Sequence, residues 1–354
     1  MGIKSGIVKL KRSVDARRHL SKQLKRIRGD IKSSRDPIPP LTPAQEKSIK
    51  DFWSAYGFDI SCDWHRFLYA KTGSEKPEFI TNSVFYSGIL AKLNDKRLAG
   101  AWSDKAYLDR FVHAARTPRC VIRNASGRFL NRDFALVTMR EAESIMNKYD
   151  ALVIKPTIYT HTGNGVKLLN KPYDLAAIHK EYKSDYVIQL PIRQDERMKL
   201  LNSSSVNTIR INSALLDGEG VIMSCFVKVG QAGKFADNSG NSRFFIGIDP
   251  ETGRFFDYAI DHDMNKHDSI PSGFSFGGTP VPAFDRIKTM IDAAHRCIPH
   301  FGLAFWDVCI EEDGEPSIIE VNLRDPDIII AQATGTPFLG KYTSRVMEYI
   351  KNNR

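Results

Sequence analysis

The sequence has no apolar run approaching the ~18 residues that a membrane-spanning helix needs, so no span is expected. It also lacks a long apolar segment behind the positive charges of its first residues, so no secretory signal is expected. Cysteine is sparse and dispersed. Cys62, Cys120, Cys225, Cys297 and Cys309 include no CxxC pair, which argues against a zinc site and a disulfide framework. Cys225 and Cys309 lie in apolar, strand-like runs, where a thiol serves as a small hydrophobe. A reducing, cytoplasmic setting fits this usage. Internal repeats and extended low-complexity stretches are lacking too.

What is present is the composition of a soluble globular protein, 42% hydrophobic and 26% charged over 354 residues. That length suffices for roughly two packed domains. The net charge of +10 is concentrated: residues 1–36 hold twelve Lys/Arg against three Asp, and the rest is almost neutral. Such an arm can follow nucleic acid or an anionic membrane surface. Leu20, Leu24, Ile27 and Ile31 recur at helical spacing and give it one apolar stripe. That stripe suits a membrane surface or a docking partner, and equally a helix packed on the protein's own body.

Pro37, Pro39, Pro40 and Pro43 separate the arm from the rest of the chain. Residues 37–101 read as short helices, the first opening at Thr42-Pro43-Ala44-Gln45 with proline at N1. Phe52, Trp53, Tyr56, Trp64, Phe67 and Tyr69 in this region suit a core better than a ligand cage. From about residue 102 helix and strand alternate. Thr138-Met139-Arg140-Glu141 reads as a capping box ahead of Ala142, Ile145, Met146 and Tyr149. Strands are predicted at 151–154, 186–190, 208–216, 221–229, 244–248, 304–310 and 318–322, and a helix at 283–298. This mixture predicts an α+β or α/β architecture.

Residues 304–322 are the most informative. Two strand patterns flank Asp313-Gly314, a dipeptide favoured in two-residue type I′ hairpins. With that turn, Glu312 pairs with Glu315 and Asp307 lies opposite Glu320; Pro316 could disturb this register. Alternation then puts Asn322 on the face of Glu320. Like charges directly opposite in a sheet repel, and apolar surroundings raise the cost. A divalent cation, an outside Arg or Lys, or protonation of one acid would each compensate.

Asp307, thirteen residues to Glu320 and two more to Asn322 resemble the magnesium-binding signature of the ATP-grasp superfamily. Upstream, Val153-Ile154-Lys155-Pro156 before Gly163-Asn164-Gly165-Val166 looks like its strand, lysine and glycine-rich loop. Tyr159, Thr160 and His161 depart from that loop's usual small residues. Val206-Asn207-Thr208-Ile209-Arg210-Ile211 looks like the strand whose arginine reaches the phosphates. The closer resemblance, over about residues 42–340, is to the sugar-transfer-associated ATP-grasp family found with polysaccharide biosynthesis genes. It is carried by Leu41-Thr42, Phe52-Trp53, Trp64-His65, Ser103-Asp104-Lys105, Asp237-Asn238, Gly247-Ile248-Asp249 and Thr252-Gly253, in that order.

The resemblance implies an α+β, ATP-grasp fold: two α/β subdomains, 102–190 and 191–350, behind a helical region at 37–101 and the arm at 1–36. It implies ATP and Mg2+ as cofactors, with Asp307, Glu320 and Asn322 as metal ligands. Lys155 and Arg210 become the catalytic cations. Nucleotide contacts fall to Lys105, Lys155, Gly163, Gly165, Gln189, Leu190, Ile192, Glu196 and Arg210. Arg110 rivals Lys105 in this role, and Asp195 rivals Glu196. Pro191 can offer only its carbonyl. Asp237, Asn238 and Arg324 are the substrate candidates, with His161, His262 and His267 as further contacts.

The implied activity is an ADP-forming carboxylate–amine ligase, joining an amino acid or amine to a sugar-linked (uronic) carboxylate in surface or capsular polysaccharide synthesis. The partners are that carboxylate and an amine, with peripheral contact of residues 1–36 at the inner membrane face; nucleic acid is not expected. A phosphotransferase acting on a hydroxyl, or a basic-armed binding module with a degenerate nucleotide site, are the competing readings.

Overall fold

The computed structural model describes residues 21–22, 24–158, 164–230, 233, 244–324 and 326–352. They group into two compact units, one within Met1–Leu93 and Asp327–Arg354, the other within Asn94–Pro326.

The first unit is helical. Thr42 caps the helix Pro43–Ser54 in a full capping box with Gln45, with proline in its first turn, as the sequence predicts. Of the six aromatics, Trp53, Trp64, Phe67 and Tyr69 are buried in a core, while Phe52 and Tyr56 are half-buried. The chain's far end returns here: the Gln332 side chain bonds both Ile80 N–H (2.6 Å) and Ile80 O (3.0 Å). Residues 21–22 and 24–33 of the basic arm are helical. Ile27 is fully buried and Arg28 Nε bonds Asp63 at 2.8 Å, so this part of the apolar stripe lies against its own unit. No described helix is long and apolar enough to cross a membrane.

The second unit holds two sheets whose described pairings are all antiparallel. The first contains β1 (Cys120–Ala125), β2 (Arg128–Asn131), β3 (Leu136–Val137), β4 (Ala151–Pro156), β5 (Lys167–Asn170) and β6 (Tyr186–Gln189). Its order is β3-β2-β1-β6-β4-β5. The helix Met139–Met146, capped by Thr138 and Glu141, packs Ala142 and Met146 into its core. The second contains β7 (Thr208–Leu216), β8 (Glu219–Val229), β9 (Phe244–Ile248), β10 (Phe255–Ile260), β11 (Lys266–His267), β12 (Leu303–Ile310) and β13 (Pro316–Asn322). Its order is β11-β10-β9-β8-β7-β12-β13. One face is apolar, with Ile209, Ile211, Val227, Ala304, Trp306 and Val308 in one core with Phe284, Ile287, Met290, Ile291 and Ala294 of the helix Phe284–Arg296. That is the helix face its sequence spacing predicts.

Gly253, in the β9–β10 turn, has φ +69°, and a Cβ there would meet the Phe284 ring at 2.5 Å. Gly253→Ala therefore combines a left-handed backbone with overpacking and is expected to cost roughly 2–4 kcal/mol. A lower urea midpoint at unchanged slope is the readout.

The β12–β13 hairpin differs from its predicted form in two places. Glu311 N–H bonds Glu315 O (2.9 Å) and Gly314 N–H bonds Glu311 O (2.8 Å), so the loop is Glu312–Gly314 rather than Asp313-Gly314 alone. Gly314, at φ +78°, supplies the left-handed residue that three-residue loops require. This shifts the register by one, pairing Val308 with Ile318. An irregularity at Ile319 then shifts it back, and Asp307 pairs with Glu320 as predicted.

Candidate functional site

Strands β7, β12 and β13 lie side by side, each alternating core residues with residues of the opposite face. On β7, Ile209 and Ile211 enter the core while Arg210 takes the other side; on β12, Trp306 and Val308 do so while Asp307 stands beside Arg210. Register thus sets Arg210, Asp307 and Glu320 in one row across three strands.

Arg210 forks onto Asp307, Nε to Oδ1 at 2.7 Å and Nη2 to Oδ2 at 3.1 Å. Lys228 of β8 donates to Asp307 Oδ1 at 2.8 Å. Burial alone would raise the Asp307 pKa, but Arg210 and Lys228 outweigh it and hold the carboxyl far below its ordinary range. Glu320 accepts from Asn322 Nδ2 at 2.8 Å and faces Lys105 Nζ at 3.3 Å. Burial also pushes its pKa up and Asp307 adds to that, yet Lys105 and Lys228 leave it lowered. Both acids are therefore ionised near neutral pH.

Two cations of this site come from outside the seven-stranded sheet. Lys155, on β4, is 8% exposed and brings its Nζ to 3.5 Å from Ile319 O, at the irregularity of β13. Burial and then the charge of Lys105 lower its pKa to about 8, with Glu320 partly opposing. Lys105 is fixed by its backbone: its N–H bonds Thr157 O (3.3 Å), while Asp104 Oδ1 accepts Ala106 N–H (2.9 Å). Arg123 of β1, 1% exposed, donates to Ala106 O (2.6 Å), Asn131 O (3.1 Å) and Arg132 O (3.0 Å) and pairs with Asp109. A buried guanidinium thus anchors the segment that presents Lys105.

Lys105, Lys155, Arg210 and Lys228 face Asp307 and Glu320, a surplus of positive charge suited to a polyanion such as a phosphate chain. The oxygen donors Asp307, Glu320 and Asn322 are adjacent, with both carboxylates ionised, and such hard donors fit magnesium. Among the described residues no group of three or more His, Cys, Asp or Glu is gathered for a metal.

Other predicted positions lie apart from this row or are occupied by structural bonds. Gln189 Nε2 donates to Pro118 O (3.3 Å) and Leu190 N–H to Arg119 O (3.0 Å), leaving Leu190 its carbonyl. Ile192 is half-buried in the segment after β6. Glu196 is exposed and pairs with Lys199; its rival Asp195 caps that short helix and pairs with Arg197. Arg110 lies over the Phe134 ring at 4.2 Å, so Lys105 is the one of the two that reaches Glu320. Gly165 has φ +78°, and a Cβ there would meet Pro156 at 2.8 Å. Arg324 is exposed. His262 neighbours Asp263, and His267 bonds Asp261 at 2.9 Å. Gly163, His161, Asp237 and Asn238 lie outside the described residues.

Lys228 is the site residue the sequence reading missed. Its signal was available: a cation inside the apolar run Cys225–Val229, as Arg210 is inside its own.

Residues 87–347 match the family described as sugar-transfer associated ATP-grasp. The chain belongs to that family. Its α+β fold is the ATP-grasp fold that the motifs predict. Among solved structures it is similar to an L-amino acid ligase from Bacillus licheniformis, at 14% identity and TM-score 0.39, over 70% of this chain and 48% of that one. It is also similar to a RiPP-associated ATP-grasp ligase of Chryseobacterium gregarium, at 11% identity and TM-score 0.44, over 74% and 63%. A third similarity is to the VanG D-Ala:D-Ser ligase of Enterococcus faecalis, at 13% identity and TM-score 0.40, over 71% and 61%. The match thus spans about half to under two-thirds of each of those chains. Comparison with the curated proteins returned no match.

Proposed function

We propose that this ATP-grasp protein is an ADP-forming ligase that activates a carboxylate and joins it to an amine. The observation that carries this reading is the row Arg210–Asp307–Glu320, with Lys105 and Lys155 brought to the same strand. Asp307, Glu320 and Asn322 would hold magnesium, which when bound supplies charge neutralisation to phosphoryl oxygens. Arg210 and Lys228, already oriented by Asp307, present N–H donors to the triphosphate, and Lys155 adds a buried charge. In the proposed sequence the substrate carboxylate oxygen bonds to the γ-phosphorus while its bond to the β–γ bridging oxygen breaks, releasing ADP. The amine then attacks the acyl carbon, phosphate departs, and the amine loses its proton as the amide forms. The protein's part is orientation and electrostatics, with no side-chain nucleophile.

The family's association with sugar transfer supports a uronic acid or another sugar-linked carboxylate as acceptor, and an amino acid or simple amine as donor, in polysaccharide synthesis. Gln189 through Ile192 would line the adenine, and Glu196 the ribose. Gly163 and Gly165 would approach the phosphates, and Asp237, Asn238 and Arg324 the acceptor. A screen crossing amino acids with uronic sugars, read by ADP release and product mass, tests this. AMP and pyrophosphate as products would refute the mechanism, and ADP release with a hydroxyl acceptor and no amine would favour phosphotransfer.

Lys155 gives a pH prediction. Its charged form prevails below about 8 and is lost as pH rises through that value. Because kcat/KM reports groups of the free enzyme, kcat/KM for ATP is expected to fall above pH ~8. Lys155→Arg, which stays charged, should remove that alkaline limb whatever its effect on the plateau. An unchanged limb would exclude Lys155 as its source.

A further inference from the structure

We infer that Arg116, which the sequence does not single out as a site position, is a positioning residue for Glu320; the inference rests on the proposed ligase site and adds a residue to it. Arg116 lies in the segment leading into β1 and grips the β12–β13 hairpin at two places. Its guanidinium spans the turn, Nη2 to Glu311 Oε2 at 2.8 Å and Nη1 to Asp313 Oδ2 at 2.6 Å. Its carbonyl accepts the N–H of Ile318 at 2.8 Å.

Ile318 is the residue at which the hairpin register departs from the one that pairs Asp307 with Glu320. Between Ile318 and Glu320 stands the unpaired Ile319, whose carbonyl meets Lys155. The bulge thus has a hold on each side: Arg116 on the N–H before it, Lys155 on the carbonyl within it. A bulge bends its strand and re-aims the following side chain. Here that side chain is Glu320. A one-residue slip of β13 would move Glu320 to the opposite face, where the core lies. The fork on Glu311 and Asp313 fixes the turn end of the same strand, so Arg116 resists both a slip and a loss of the bulge.

The Arg116 side chain is 41% exposed, and exposed ion pairs contribute little to global stability. Its removal is therefore expected to act on the site more than on folding. Lysine cannot span two carboxylates as the planar fork does.

Arg116→Met is the main variant, and Glu311→Met/Asp313→Ala, which removes the acceptors of the fork, is the second. Isothermal titration with ATP across a Mg2+ series gives the Mg2+ concentration for half-maximal nucleotide binding, and ADP release gives kcat and KM. Both variants are expected to raise the Mg2+ requirement about 10-fold and lower kcat by about 10–100-fold, the range for a misplacement near 1 Å. KM for ATP at saturating Mg2+ should change little, and combining all three substitutions should add nothing further. Arg116→Lys should not restore the Mg2+ dependence.

Wild-type Mg2+ dependence and kcat in folded Arg116→Met would overturn the inference. If that variant fails to fold, wild-type behaviour of the Glu311/Asp313 variant overturns it instead. A wild-type protein that binds Mg-ATP yet forms no ADP with any carboxylate and amine sinks the ligase reading alone, because the Mg2+ requirement still reports on Arg116.

Discussion

Asp307→Asn is expected to destabilise the unit within Asn94–Pro326 by about 3–5 kcal/mol, the usual cost of breaking a buried ion pair from one side. Asp307 is the shared acceptor of Arg210 and Lys228, all three with side chains no more than 15% exposed. Asparagine keeps the shape but supplies no charge, and its single oxygen cannot satisfy both the Arg210 fork and the Lys228 ammonium. Two buried cations then lose the carboxylate they share. For a unit of this size the melting temperature should fall by about 10 °C.

The pH dependence has a definite sign. Asp307 has a folded pKa far below the ordinary carboxylate value near 4. Its contribution is complete above that value and is lost as pH falls toward the folded pKa. The melting-temperature gap between wild type and Asp307→Asn should therefore be full at pH 7 and narrow below pH ~4. Sulfate should stabilise the variant more than wild type, since an anion can replace the missing charge. Equal melting curves at pH 7 would show that Asp307 does not hold these two cations.

Strands β7, β8, β9, β12 and β13 of the second sheet were legible in the sequence because the residues they send into the core are apolar, whereas β10 and β11 were not predicted. Thr208–Leu216 and Phe244–Ile248 match their predicted bounds, and β12 and β13 differ only at their starts. The first sheet was harder to read. β1 carries Arg123 and Asn124 into the interior, which disguises it as a polar connection. Arg123 is tolerable there because distant carbonyls, Asp109 and the Phe134 ring receive its guanidinium, and no local pattern shows such partners.

The site's central row was legible through a compensating pair of errors. The turn is one residue longer than Asp313-Gly314 suggests, and the Ile319 irregularity restores the pairing of Asp307 with Glu320. A bulge has no composition signal in an apolar strand, whereas the need of two facing acids for positive charge is visible in one dimension. A metal or an outside Arg or Lys can each meet that need. The structure supplies Arg210, Lys228 and Lys105, and the oxygen donors remain suited to magnesium beside them.

Glu320→Gln should separate function from folding more sharply than any change at Asp307. Glutamine is isosteric, and its oxygen can still accept from Asn322 Nδ2. Removing the charge leaves Lys105 without its partner at 3.3 Å, but also ends the repulsion between Glu320 and Asp307. These changes oppose each other, so the melting temperature should move by only about 2–3 °C. Activity has no such compensation. The variant loses an ionised donor for magnesium, and Lys155 loses the one nearby carboxylate that raises its pKa. Lys155 then titrates below about 8, so the remaining kcat/KM for ATP should decline from a lower pH than in wild type. Together these losses should reduce ADP formation on the order of 10³-fold at pH 7.5, comparable to removing a group that stabilises transition-state charge. Coupled ADP release with matched thermal melts measures both effects on one preparation. Near-wild-type turnover in Glu320→Gln would show that the row of Arg210, Asp307 and Glu320 is a structural ion cluster, and would move the search for the nucleotide elsewhere in the unit.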